Sequence, residues 1–123
     1  MYSEITVKPV SGALGAEVFD VNLSQDLSPK KLEEIKKAYA EFGVLFFRDQ
    51  DVSDNDLARF ARYFGDLAVL PPHRQFPGSL PELLVIDKKP ETKLVFGWEW
   101  HSDTSHLETP PLGSVLAAKI LPS

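Results

Sequence analysis

The densest run of reactive side chains is Gly97-Trp98-Glu99-Trp100-His101-Ser102-Asp103-Thr104-Ser105-His106-Leu107-Glu108-Thr109-Pro110-Pro111. It holds two of the three histidines, three carboxylates and both tryptophans. His101 and Asp103 are separated by one residue. On an extended strand, positions i and i+2 share a face. An imidazole nitrogen and a carboxylate oxygen can then converge on one ion. Joined by one distant histidine, such a pair makes the 2-His-1-carboxylate facial triad, which leaves three adjacent positions open on non-haem Fe(II). The same tripeptide also occurs as a polar pair on a surface strand, and it does not by itself separate the two readings. Trp98 and Trp100 argue for a buried or half-buried wall around it, because indole rings are costly to leave in water.

The other candidates read differently. His73 lies in a proline-rich loop, where it either lines a substrate or is simply solvated. His106 has the opposite strand parity to Asp103 and reads as a packing or hydrogen-bonding residue. Glu99 or Glu108 with His101 could do acid–base work, but no nucleophile or oxyanion signature accompanies them. Arg48-Asp49 reads as a structural strand terminus. The chain contains no cysteine, which excludes disulfide scaffolds, Cys-ligated zinc, iron–sulfur clusters and thiol catalysis. Any metal must be held by His, Asp and Glu.

Several elements must position these groups. Ile5-Thr6-Val7-Lys8-Pro9-Val10 alternates as a half-buried strand, and residues 16–21 read as a second. Ser28 and Pro29 begin a helix whose stripe is Leu32, Ile35, Tyr39 and Phe42, stopped by Gly43. Glu33 and Glu34 early, with Lys36 and Lys37 later, suit its dipole. Val44-Leu45-Phe46-Phe47 is a buried strand. A second helix starts at Ser53 and presents Leu57, Phe60, Ala61 and Phe64 before Gly65. Residues 71–81 are a proline-rich loop. Leu83-Leu84-Val85-Ile86 and Ser114-Val115-Leu116-Ala117-Ala118 read as strands, with a short extended piece at Leu94-Val95-Phe96. The order is α+β rather than a sustained βαβ alternation.

A length of 123 residues suits one domain, and 43% hydrophobic with 25% charged residues is a globular composition. The net charge of −5 gives no bulk attraction for nucleic acid or anionic lipid. No signal segment or apolar stretch of about 18 residues is present, so a soluble, cytoplasmic protein is expected, with no nucleic-acid or membrane partner.

Four blocks in order carry a resemblance. They are Gly15-Ala16-Glu17-Val18, Val44-Leu45-Phe46-Phe47-Arg48-Asp49-Gln50, Phe60-Ala61-Arg62-Tyr63-Phe64-Gly65-Asp66-Leu67, and Trp100-His101-Ser102-Asp103 with Leu107-Glu108-Thr109-Pro110-Pro111. Together they resemble the taurine dioxygenase/2,4-dichlorophenoxyacetate dioxygenase family of Fe(II)- and 2-oxoglutarate-dependent oxygenases. The resemblance implies a double-stranded β-helix, or jelly roll. It implies His101 and Asp103 as two metal ligands, with Fe(II) as the metal and 2-oxoglutarate as cosubstrate. The implied reaction hydroxylates a small organic substrate, a sulfonate or similar heteroatom compound, while 2-oxoglutarate becomes succinate and CO2. Leu70, His73, Gly97 and Trp98 fall at or near substrate-contact positions. Leu70 and His73 replace a sulfonate-contacting histidine and a nearby tyrosine, which points away from taurine itself.

The family's distal histidine, its 2-oxoglutarate-gripping arginine and a cosubstrate-contacting threonine would fall after Ser123. The expectation is therefore a partial jelly roll with two N-terminal helices, a single domain over 1–123 that is inactive alone. The alternative is a non-catalytic remnant. An unpaired strand edge near residues 115–118 would favour self-association.

Overall fold

The structure, a computed structural model, describes residues 2–69, 77–89, 91, 93 and 99–121. The elements run β1 (Thr6–Pro9), β2 (Ala16–Phe19), α1 (Pro29–Phe42), β3 (Leu45–Phe46) and α2 (Asp54–Arg62). They form a three-stranded sheet ordered β1-β2-β3. β1 pairs antiparallel with β2, with Val7 opposite Val18. β2 pairs parallel with β3, with Ala16 opposite Leu45. A parallel neighbour needs a crossover, and α1 supplies it.

β2 is the central strand, so it is the best covered. Ala16 and Val18 are buried and the residues between and after them half-buried. Its alternation is cleaner than that of β1. Ile5, Val18, Leu23, Ile35, Val52 and Phe60 make the core cluster. Aromatic rings extend it: Phe60 meets Phe47 and Phe64 edge-on at 5.5 Å, and Phe64 meets Tyr39 at 5.9 Å. Such edge-to-face pairs add to simple area burial.

The helices form for local reasons. The Ser28 side chain accepts the Lys31 N–H, and Pro29 needs no partner for a missing donor. Gly43 closes α1 at φ +70, its N–H on the Tyr39 carbonyl. A Cβ there would lie 2.8 Å from Leu14, so both the conformation and the contact call for glycine. In α2, Ser53 and Asp56 cap each other reciprocally. Asp54 and Asp56 open the helix and Arg59 and Arg62 close it, which complements its dipole.

Two local expectations are corrected. α1 has no acid in its first turn and no base in its last. Its Glu34 instead clasps the N-terminal segment. The carboxylate accepts from the Ser3 N–H and hydroxyl at 2.8 and 2.7 Å, the Glu4 N–H at 2.9 Å and the Ile5 N–H at 3.2 Å. Desolvation raises the Glu34 pKa, but these donors more than reverse that and hold it down to about 2. The buried residues of the helices also include Ala38 and Ala58, small side chains that a search for large apolar residues passes over. Arg48, just after β3, pairs with Glu17 of β2 at 3.0 Å, and Gln50 bonds the backbone of Val21, Leu23 and Arg48.

Residues 83–86 and 114–118 lie outside any strand. Most of their apolar side chains are exposed, with Ile86 56% and Leu116 85% exposed, while Leu83 and Ala117 are half-buried. A strand exists only by pairing, and neither segment has a ladder partner among the described residues. The expected piece at 94–96 lies outside the described residues. The described residues thus form two helices and a three-stranded sheet.

Candidate metal centre

His101 and Asp103 sit on a segment without ladder hydrogen bonds, in bends and a turn rather than on the expected strand. They nevertheless meet. His101 Nε2 lies 3.3 Å from Asp103 Oδ1, and both side chains are more than half exposed. At metal–donor distances of about 2.1 Å, neighbouring corners of an octahedron lie about 3.0 Å apart. The observed separation is close to that edge, so the two donors fit adjacent corners around one ion.

The orientation of each donor is set from behind. His101 Nδ1 lies 2.7 Å from the Glu99 carbonyl, which can only accept, so Nδ1 carries the proton in that bond. Nε2 is then either a second N–H or a lone pair directed at a carboxylate oxygen. Backbone-anchored imidazole of this kind is the usual support for a metal-bound histidine. Asp103 Oδ2 accepts the Ser114 hydroxyl at 3.1 Å, which leaves Oδ1 facing the imidazole.

The following turn closes through the Leu107 N–H on the Thr104 carbonyl at 3.0 Å. Thr104 adopts φ +46, a left-handed conformation that a β-branched residue takes only under constraint.

Among the described residues, no group of three or more His, Asp or Glu side chains could hold a metal. His106, Glu99 and Glu108 are exposed and add no third donor. Trp100 is fully exposed, at 106% of its reference area, which corrects the expectation that it forms a buried wall. Leu70, His73, Gly97 and Trp98 lie outside the described residues. A surface hollow of about 570 Å3 opens around Asp20, Asp26, Ser28 and Lys31 and includes neither His101 nor Asp103. The Ser114 contact was not legible in advance, because it joins positions 11 residues apart that share no periodic pattern. No helix among the described residues is long and apolar enough to cross a membrane.

Known proteins are similar to this chain in sequence, and one of the solved structures in fold. An alpha-ketoglutarate-dependent sulfate ester dioxygenase of Pseudomonas putida is 31% identical over 127 residues, covering 98% of this chain and 39% of that protein. An alkylsulfatase of Acinetobacter baylyi is 27% identical, over 97% of this chain and 37% of its own length. The crystal structure of a taurine dioxygenase from Burkholderia xenovorans superposes with a TM-score of 0.73 at 30% identity, over 89% of this chain and 38% of that one. The chain thus spans less than two-fifths of the length of each of these relatives. The sequence pattern of the taurine catabolism dioxygenase TauD, TfdA family matches residues 6–123, and the chain belongs to that family.

Proposed function

We propose that this chain contributes two protein ligands, His101 and Asp103, to the Fe(II) centre of a 2-oxoglutarate-dependent dioxygenase. The observation that carries the reading is the 3.3 Å approach of His101 Nε2 to Asp103 Oδ1, with each ring or carboxylate held from behind. Bound there, iron supplies an oxidation in which 2-oxoglutarate and O2 become succinate and CO2 while one oxygen atom enters a C–H bond of the substrate. The chain's own part is to hold the donors. Nδ1–H on the Glu99 carbonyl keeps Nε2 free for the ion, and Asp103 supplies a negative charge beside it.

The substrate class is a small organic sulfate ester or sulfonate. The names of the sulfate ester dioxygenase and the alkylsulfatase support it. Hydroxylation at the carbon bearing a sulfate ester oxygen gives a product that collapses to an aldehyde and sulfate, so one oxidation releases the anion. Leu70, His73, Gly97 and Trp98 are the proposed substrate contacts. Among the described residues no third His, Asp or Glu joins this pair.

The test is succinate formation from 2-oxoglutarate by the whole protein, with Fe(II), O2 and a medium-chain alkyl sulfate. Loss of turnover to background in both His101→Ala and Asp103→Ala is expected. Undiminished turnover in either variant overturns the ligand assignment.

A further inference from the structure

We propose that Ser114 is a positioning residue for the metal centre: its hydroxyl occupies Asp103 Oδ2 and so presents the carboxylate to the ion through Oδ1 alone. The inference rests on the assignment of His101 and Asp103 as ligands. A free carboxylate can bind an ion through one oxygen or two, and it rotates easily when exposed. Here the Ser114 Oγ–Oδ2 bond of 3.1 Å fixes which oxygen faces the His101 ring. One-oxygen binding uses a single coordination position, and every position saved remains open to cosubstrate and oxygen.

Ser114 is exposed, but the two residues before it meet the packed part of the molecule. At Gly113 a Cβ would come within 2.5 Å of the Tyr39 hydroxyl, so the backbone there lies directly on that ring. The Tyr39 hydroxyl also makes a long hydrogen bond, 3.4 Å, to the Leu112 carbonyl. The Tyr39 ring stacks edge-on against Phe64. Asp103 belongs to a segment with no ladder of its own, next to the strained Thr104. Through Ser114 it is referred to helix α1 instead.

The experiment is a Mn(II) titration of the whole protein, followed by electron paramagnetic resonance of the free aquo ion. Wild type, His101→Ala, Ser114→Ala and Ser114→Thr are compared, with circular dichroism confirming that each retains its helices. Loss of an outer-shell partner typically weakens metal binding by about 10- to 100-fold. Ser114→Ala is expected to weaken affinity by at least about 10-fold, and Ser114→Thr, which keeps the hydroxyl, to restore most of it. If His101→Ala loses binding while Ser114→Ala binds like wild type, the role of Ser114 is overturned and the ligand assignment stands. A Ser114→Thr variant as weak as Ser114→Ala, in which the loss does not track the hydroxyl, also overturns it. Equal binding by wild type and His101→Ala, including none in either, overturns the ligand assignment and this inference with it.

Discussion

Ile35 and Ile86 are the same side chain with opposite fates. Ile35 on α1 is fully buried, while Ile86 is 56% exposed. Leu23 and Leu116 repeat the contrast, one buried in the core and the other in solvent. The difference follows the backbone. Up to Phe64 the chain is organised by two capped helices and a paired sheet, which bring apolar faces together. From 77 to 121 the described residues carry no helix or strand. Apolar content alone does not bury a side chain; the peptide groups beside it must also find partners. The second region is tied to the first at separate points: Arg62 to Glu82, Tyr39 to Leu112, Lys119 to the Val52 carbonyl, and Ala117 against the core. The candidate metal pair lies in this second region, so it depends on such ties rather than on a sheet.

The contrast can be broken most severely at Ile35. Ile35→Ala leaves a hole in the fully buried centre and should cost about 2–5 kcal/mol, measured by urea unfolding. A cost comparable to that of an exposed position would mean that the first region is not the organised one.

The Glu34 clasp comes next. Its carboxyl is held at about 2 in the folded state against an ordinary value of 4.5. A lowered pKa contributes stability that is fully present above 4.5 and is lost as pH falls from there through about 2. The melting temperature of the wild type should therefore drop more steeply over that window than that of Glu34→Gln. Parallel profiles would show that the clasp does not hold in solution.

Ser53→Ala removes one half of the α2 capping box and should cost about 1 kcal/mol in the same unfolding assay. The smallest effect is expected in the second region. Leu116→Ala, at a site 85% exposed, should change stability by less than about 0.5 kcal/mol. A loss of 2 kcal/mol or more, on the scale of about 2–5 kcal/mol seen for core truncations, would show that this segment is packed in solution.

The same contrast explains what could be read from the residues. Ser28, Pro29 and Gly43 delimit α1, and Ser53 begins α2, because helix ends are satisfied by neighbours in sequence. Residues 5–10 and 16–21 were legible as strands because alternation and a tight turn are also local. Residues 83–86 and 114–118 carry the composition of strands, yet composition does not supply a partner edge. Glu34 was misread as a dipole charge because its donors, Ser3, Glu4 and Ile5, are about 30 residues away. The approach of His101 to Asp103 was legible because only one residue separates them. The Ser114 brace was not, since it is a contact made only after folding.

The central claim is that His101 and Asp103 form one cation site, and paramagnetic NMR of this chain tests it most directly. With substoichiometric Mn(II), the amide signals of residues 101–104 and 114 should broaden first, and His101→Ala should abolish that selectivity. Broadening centred instead on other acidic residues such as Asp49 and Asp51, or spread evenly over the carboxylates and unchanged in His101→Ala, would contradict it.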